Sequence, residues 1–410
     1  MDRKPPAAYF DHAAAAPLLP EALEAMRPFF TDHFGNPQSI HRFGIEPARA
    51  LEEARARVAS LIGESSTARI VFTASATESN NLAVKGIARS LAAKGNHIVV
   101  SAVEHASVTS PARTLEKEGF EVTEVRVDKY GTVHPGELEK AFRSGTVLAA
   151  VQHASNEIGT MQPLAELAAA CRRHGVLLHS DGTAAVGRIP VDVGALGVDS
   201  YAFPAQSFYG PKGAAVLWLR SGVRPRSLVE GGIQEKGRRA GTENVPAIVG
   251  MGRAAEIAAL NLAAWSAHMA RLGGRLLAAL PERVEHIILT GHPEHRLPGH
   301  VSLCVEFVEG ESMLLFLEDE GFAVASGSAC TSKTLKASPV LLAIGLPHSV
   351  AQSSLMLTLG KDTTEAEVDR FLEKLPPIVE RLRSMSPLYA KYQRGEDPYA
   401  TPESSCEGGH

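Results

Sequence analysis

Residues 146–151 read Thr-Val-Leu-Ala-Ala-Val and residues 176–181 read Val-Leu-Leu-His-Ser-Asp, with the helical run Leu164–Arg173 between them. Each apolar run is short and nearly continuous, as a strand buried on both faces must be. The same alternation extends outward from about residue 48 to about 260. Further strand-like runs stand at Arg69–Thr73, His97–Ser101, Glu121–Val127 and Ala214–Leu219. Ahead of them, Leu51, Ala54, Val58, Leu61 and Ile62 mark the buried stripe of a helix. Strands separated by helices predict an α/β fold with a mostly parallel sheet covered on both faces. Ligands of such sheets bind beyond the carboxyl ends of the strands. That rule singles out Thr77, His105, Asn156, Asp181 and the Gln206-Ser207 pair.

Beyond about residue 259 the pattern changes. Two long helical stretches lead to strands near Ile287–Leu289 and Val301–Val308, followed by helices around Met313–Glu320 and Glu365–Arg383. The chain therefore divides into a large α/β domain, 15–258, and a smaller α+β domain formed by 1–14 and 259–385. The tail, 386–410, is rich in Pro, Ser, Glu and Gly towards its end and is expected to be flexible. At 410 residues, with 44% hydrophobic and 21% charged, the composition is that of a globular protein. A net charge of −5 argues against nucleic acid or an anionic membrane as partner. The apolar stretches are interrupted every few residues, so no membrane span is expected, and the absence of a leader-like N-terminus predicts a cytoplasmic location. Cysteines occur at 171, 304, 330 and 406, none in a CxxC pair, so neither a structural zinc nor a disulfide is expected.

Nine segments in register give the chain a closer likeness. They are YFDHAAAAP (9–17), FGNPQSIHRFG (34–44), TASATESNNLA (73–83), SAVEHASV (101–108), HASNEIGTMQP (153–163), HSDGTAAVGRIPVDV (179–193), FYGPKG (208–213), RRAGTENVP (238–246) and SGSACTS (326–332). Together they resemble the NifS/IscS group of cysteine desulfurases, within the class V aminotransferase superfamily, over roughly residues 9–380. The resemblance implies the fold-type-I architecture of pyridoxal-phosphate (PLP) enzymes, with a seven-stranded sheet, and a homodimer with shared sites. It further implies that Asp181 keeps the cofactor's pyridine nitrogen protonated and that His105 stacks on the ring and moves protons. Thr77 would bind the phosphate, with Thr242 supplied from the second subunit. Asn156 would lie near the ring and substrate carboxylate, and Cys330 would attack the substrate sulfur and carry it as a persulfide.

The departures fall on the same machinery. The family's Ser-x-His-Lys is Pro204-Ala205-Gln206-Ser207 here, and serine cannot form a Schiff base. Its D-A-A-Q is Asp181-Gly182-Thr183-Ala184, and its S-S-I-R, whose arginine clamps the substrate carboxylate, is Ser353-Ser354-Leu355-Met356. Charged hydrogen bonds of that kind contribute about 1.5–3 kcal/mol each, and methionine recovers none of it. His12 replaces an asparagine. Lys212 lies five residues past Ser207 and is a poor substitute for the lost lysine. The expected cofactor state is thus no covalent PLP.

Blander roles compete at each position. Asp181 and His105 satisfy each other or the backbone, Thr77 and Thr242 serve as a helix cap and an interface hydroxyl, and Asn156 shapes a turn. Cys171 and Cys304 belong to the core. Three functions stay open. In the first, Cys330 handles sulfur made elsewhere, or ligates iron of an iron–sulfur cluster, together with an acceptor or scaffold protein. In the second, PLP or its amine form binds without a covalent link and serves a different, less anionic substrate. The third is a non-catalytic structural or regulatory paralogue. Whether the chain is an enzyme is a question for its site, not its fold.

Overall fold

The computed structural model describes residues 7–327 and 337–399; Cys330 and Cys406 lie outside the described residues. A seven-stranded sheet forms the centre. In order across it stand Ile70–Thr73, Ala215–Leu219, Ser200–Pro204, Leu177–Asp181, Thr146–Ala150, His97–Ser101 and Glu121–Val125. Only Ala215–Leu219 runs antiparallel to its neighbours. The remaining pairs are parallel. The carboxyl ends of six strands and the start of the seventh therefore share one edge of the sheet.

The four strands from Ala215–Leu219 to Thr146–Ala150 are buried almost throughout, which is why none shows an apolar–polar alternation; the polar His179, Ser180 and Asp181 end one of them at the site. The outer strand Glu121–Val125 carries Glu121 and Glu124 instead, charges that discourage edge-to-edge pairing. Ser200–Pro204 has no counterpart among the strand-like runs read from sequence, because Ser200 and Pro204 flank only three apolar residues. Pro204 is tolerated at the last position of the strand.

A second, antiparallel sheet of Ser354–Thr358, His300–Val305 and Ile287–Leu289 packs with the helices Gly310–Asp319 and Glu365–Ser384. The latter helix begins with a capping box between Thr364 and Glu367. The N-terminal strand Ala8–Tyr9 pairs with Phe322–Ala323, so the chain's start joins this layer. In place of the two helical stretches expected from residue 259, a single helix runs from Val245 to Arg283. Ala254, Ala255 and Ala258 pack it into the core of the large sheet, while Leu272, Leu276 and Leu280 pack it into that of the small one. It is also the one helix, among the described residues, long and apolar enough to cross a membrane by length and composition alone, a test that the core helix of a globular protein also passes. Half of its most apolar window is buried inside the protein. Of the tail, residues 386–399 are described: Pro387–Gln393 is helical, and Tyr392 and Tyr399 stack on Phe307.

Candidate active site

A cavity of about 560 Å³ opens at the shared strand edge. Its walls come from the residues after nearly every strand: Ala74–Thr77, His105, Gln152, Asn156, Asp181 and Gln206, joined by Lys212 ahead of the antiparallel strand. The small sheet closes it with Met356, and Asp11 and Ser326 complete that side.

Asp181 ends its strand half-turned into this space. Its Oδ1 accepts the backbone N–H of Thr183 at 2.8 Å and its Oδ2 accepts from Asn80 Nδ2 at 2.7 Å. Asn80 also donates to Ser107 Oγ at 2.8 Å, and its Oδ1 pairs with His179 Nε2 at 3.0 Å. Since Oδ1 can only accept, His179 carries its proton on Nε2. Burial pushes the His179 pKa down to about 4, so the ring is neutral. Ser107 Oγ lies 2.8 Å from His105 Nδ1, which also accepts the Ser107 backbone N–H at 3.1 Å. His105 therefore holds its Nε2–H free for the cavity. Asp181 and His105 are joined through Asn80 and Ser107, two residues whose roles only the three-dimensional network discloses.

Thr77 lies in the first turn of the helix Ala76–Ser90 and is exposed to the cavity. The helix is capped by Ser75, whose Oγ accepts the Glu78 N–H at 3.1 Å, so the capping role does not belong to Thr77. Similarly, Ser155 Oγ accepts the N–H groups of Glu157 and Ile158, which leaves the Asn156 side chain out of the turn's hydrogen bonds. Gln206 lines the cavity, but Ser207 is not among its lining residues. The Ser207 hydroxyl donates to the Thr183 carbonyl at 2.6 Å. Thr242 is exposed and borders a separate pocket of about 190 Å³ with Ala74 and Gly213. Cys330 lies outside the described residues; Ser326, four positions earlier, lines the cavity. The two described cysteines, Cys171 and Cys304, are buried, and burial raises both thiols to about 12, which makes them inert core residues.

Gly182 is coupled to its surroundings. A Cβ there would lie 2.1 Å from Tyr201 Cζ. Tyr201 is fully buried and its hydroxyl meets His153 Nδ1 at 2.7 Å. Nearby, burial raises the Glu104 carboxyl to about 8, against hydrogen bonds to its Oε1 from Ser101 and the Gln152 N–H and with some help from Asp181. Glu104 is thus protonated at neutral pH. A carboxyl whose folded pKa exceeds its unfolded value of 4.5 holds more protons when folded, so its contribution to stability falls as pH rises from about 4.5 to about 8. The slope is at most about 1.4 kcal/mol per pH unit. Glu104→Gln is expected to flatten this decline in urea denaturation on either side of the window, and an unchanged slope would refute the assignment.

The residues present fit a pyridoxal phosphate group without its covalent anchor. Asp181 would hold the cofactor through a carboxylate, His105 would supply an N–H, and Thr77 with the helix N-terminus would suit a phosphate. Thr183 also lines this cavity, and its buried Oγ1 has no partner among the described residues.

The family model for aminotransferase class-V matches residues 8–371. Among curated relatives, cysteine desulfurase IscS 1 of Archaeoglobus fulgidus is 48% identical over 383 residues, 93% of this chain and 100% of the relative. Cysteine desulfurase IscS of Dictyoglomus turgidum is 45% identical over 379 residues, 92% and 96% of the two chains. Among solved structures, a NifS-like protein superposes with a TM-score of 0.85 at 35% identity, covering 92% of this chain and 100% of its own. A NifS-like protein from Rickettsia africae gives a TM-score of 0.83 at 26% identity, covering 91% and 99%.

Proposed function

The chain belongs to the aminotransferase class-V family, in its cysteine desulfurase group, and on that premise we propose that it handles sulfur through Cys330 without the family's covalently held cofactor. In this reading it serves sulfur transfer or iron–sulfur cluster assembly as a homodimer, with an acceptor or scaffold protein as partner, and does not release sulfur from cysteine by the family route. One observation carries the reading. Where the family supplies its lysine, the Ser207 hydroxyl is bound to the Thr183 carbonyl and does not line the cavity.

Sulfur then reaches Cys330 from a persulfide. The Cys330 thiolate attacks the terminal sulfur of a donor R–S–SH, the donor's S–S bond breaks, the donor leaves as a thiol, and Cys330 holds the persulfide; no external oxidant is needed. The test is alkylation and mass mapping after exposure to a small persulfide. Wild type and Ser207→Ala are expected to carry equal persulfide at Cys330, and Cys330→Ala none on that peptide. Equal loss in Ser207→Ala and Cys330→Ala would overturn the reading.

A second reading is favoured by the cavity itself, which stays open at about 560 Å³ with Asp181 and His105 held in place. In it, PLP or its amine form binds non-covalently and, when bound, acts as an electron sink for a substrate other than cysteine. Asp181 and Asn80 orient its ring, His105 holds a proton on Nε2 beside it, and Thr77 meets the phosphate, completed by Thr242 of a second copy.

A further inference from the structure

The residues on either side of the Cys330 segment meet at one carboxyl. On the upstream side, Gly327 follows Ser326 of the cavity wall, and its N–H donates to Ser354 Oγ at 3.1 Å. On the downstream side, Ser338 is fully buried. Its Oγ accepts the N–H groups of Val340 and Leu341 at 3.1 and 3.2 Å and so caps the helix Pro339–Ala343. The hydroxyl hydrogen is left for Glu157 Oε2, to which Ser338 donates. The same carboxyl oxygen bounds Gly327: a Cβ there would lie 3.0 Å from Glu157 Oε2 and 3.1 Å from Ser338 Cβ. Gly327 and Ser338, far apart along the chain, therefore stand side by side with Glu157 against both.

Packing alone does not call for a carboxyl at this place. Burial raises the Glu157 carboxyl to about 7, and the group that supports it is the Ser338 hydroxyl, not a cation. A carboxyl held in this way carries a desolvation cost that an apolar side chain would avoid. Its backbone is held firmly: the Glu157 N–H donates to Ser155 Oγ at 3.3 Å, and His300 Nε2 donates to the Asn156 carbonyl at 2.9 Å. Asn156 lines the cavity. Two consecutive residues thus serve two tasks, Asn156 as cavity wall and Glu157 as the meeting point of the two chain ends. A chain extends at most about 3.6 Å per residue, so the Cys330 Cα stays within about 11 Å of the Gly327 Cα. Joining Ser338 to the same point closes the loop there and narrows the space its thiol can sample.

We infer that Glu157 is a positioning residue for Cys330: it clasps both ends of the segment and so keeps the thiol beside the cavity. The inference rests on the first reading above, in which Cys330 carries the sulfur. The test is a disulfide between Cys330 and a thiol introduced by Asn156→Cys, in the whole chain with Cys406→Ser. Equilibration with reduced and oxidised glutathione gives the effective concentration of one thiol at the other. Adding Glu157→Ala is expected to lower that concentration about tenfold or more, whereas Glu157→Gln, which still accepts from Ser338, stays within about threefold. A purely structural role would move the thermal midpoint and leave the effective concentration unchanged. Should Glu157→Ala fail to fold, Ser338→Ala removes the same donor and is expected to produce the same fall. A value for Glu157→Ala within about twofold of its parent overturns the inference, as does a parent that forms no such disulfide. Persulfide mapping of the unmodified chain separates the two claims: a clasp that passes the disulfide test while Cys330 takes up no sulfur sinks the sulfur reading alone.

Discussion

Ser207→Lys is expected to turn a protein that loses added pyridoxal phosphate on gel filtration into one that retains close to one equivalent per chain, with a visible absorption band that borohydride abolishes. The change removes one hydrogen bond, from the Ser207 hydroxyl to the Thr183 carbonyl, at about 1 kcal/mol. Ser207 is half-buried in the short turn Ala205–Phe208, between Gln206, which lines the cavity, and Phe208, which lies in the core. A lysine there is too long to end at the Thr183 carbonyl, and its amine must seek the nearby polar cavity rather than the apolar core. The ring seat is already in place through Asp181, Asn80, Ser107 and His105. Retention alone does not restore desulfuration, because Met356 and Ala184 still stand where the family binds substrate and cofactor. Sulfide release from cysteine by Ser207→Lys is therefore expected to stay at background, and a variant that neither retains cofactor nor shows the band would mean that the cavity has lost the ring seat too.

Gly182→Ala, which restores the family's residue next to Asp181, is expected to destabilise the protein strongly. The added Cβ would lie 2.1 Å from Tyr201 Cζ and 2.3 Å from its hydroxyl oxygen, well inside contact distance. The ring has little room to retreat: it is fully buried, edge-on to His153 and beside Phe203, with its hydroxyl bonded to His153 Nδ1. Overpacking of this kind costs about 1–3 kcal/mol and sometimes more. Adding Tyr201→Leu should relieve the clash but leave buried His153 without its partner, so the double variant is expected to recover only part of the loss. Thermal unfolding of the single and double variants reads this directly; a wild-type midpoint for Gly182→Ala would show that the Tyr201 ring is free to move. The coupling ties the residue after Asp181 to the packing of Tyr201 behind it.

The fold was largely legible because buried parallel strands write themselves as continuous apolar runs: His97–Ser101 coincides with its sequence reading end to end, as does the short, half-buried antiparallel strand Ile287–Leu289. Ser200–Pro204 and Ser354–Thr358 were missed, since a serine at one end and a proline or threonine at the other mask three apolar residues. At the candidate site, the rule that ligands gather beyond strand ends located five of the residues that meet at the cavity: Thr77, His105, Asn156, Asp181 and Gln206. Asn80 escaped because it lies inside a helix, four residues into a run with no local sign of what it will touch, and its partners are 27 and 101 positions away. Asp11 escaped, and Lys212 was weighed only as a substitute for the lost lysine, for a related reason. Each reaches the cavity through packing between distant segments, which no periodicity encodes.

The central claim is that this protein does not draw sulfur from cysteine through a lysine-bound cofactor. Anaerobic sulfide release from cysteine tests it most directly, in the presence of a reducing thiol and added pyridoxal phosphate, with Cys330→Ala and cofactor without protein as controls. The account predicts sulfide at the level of free cofactor for wild type and variant alike. Release above that level, saturating with cysteine and abolished by Cys330→Ala, would contradict it.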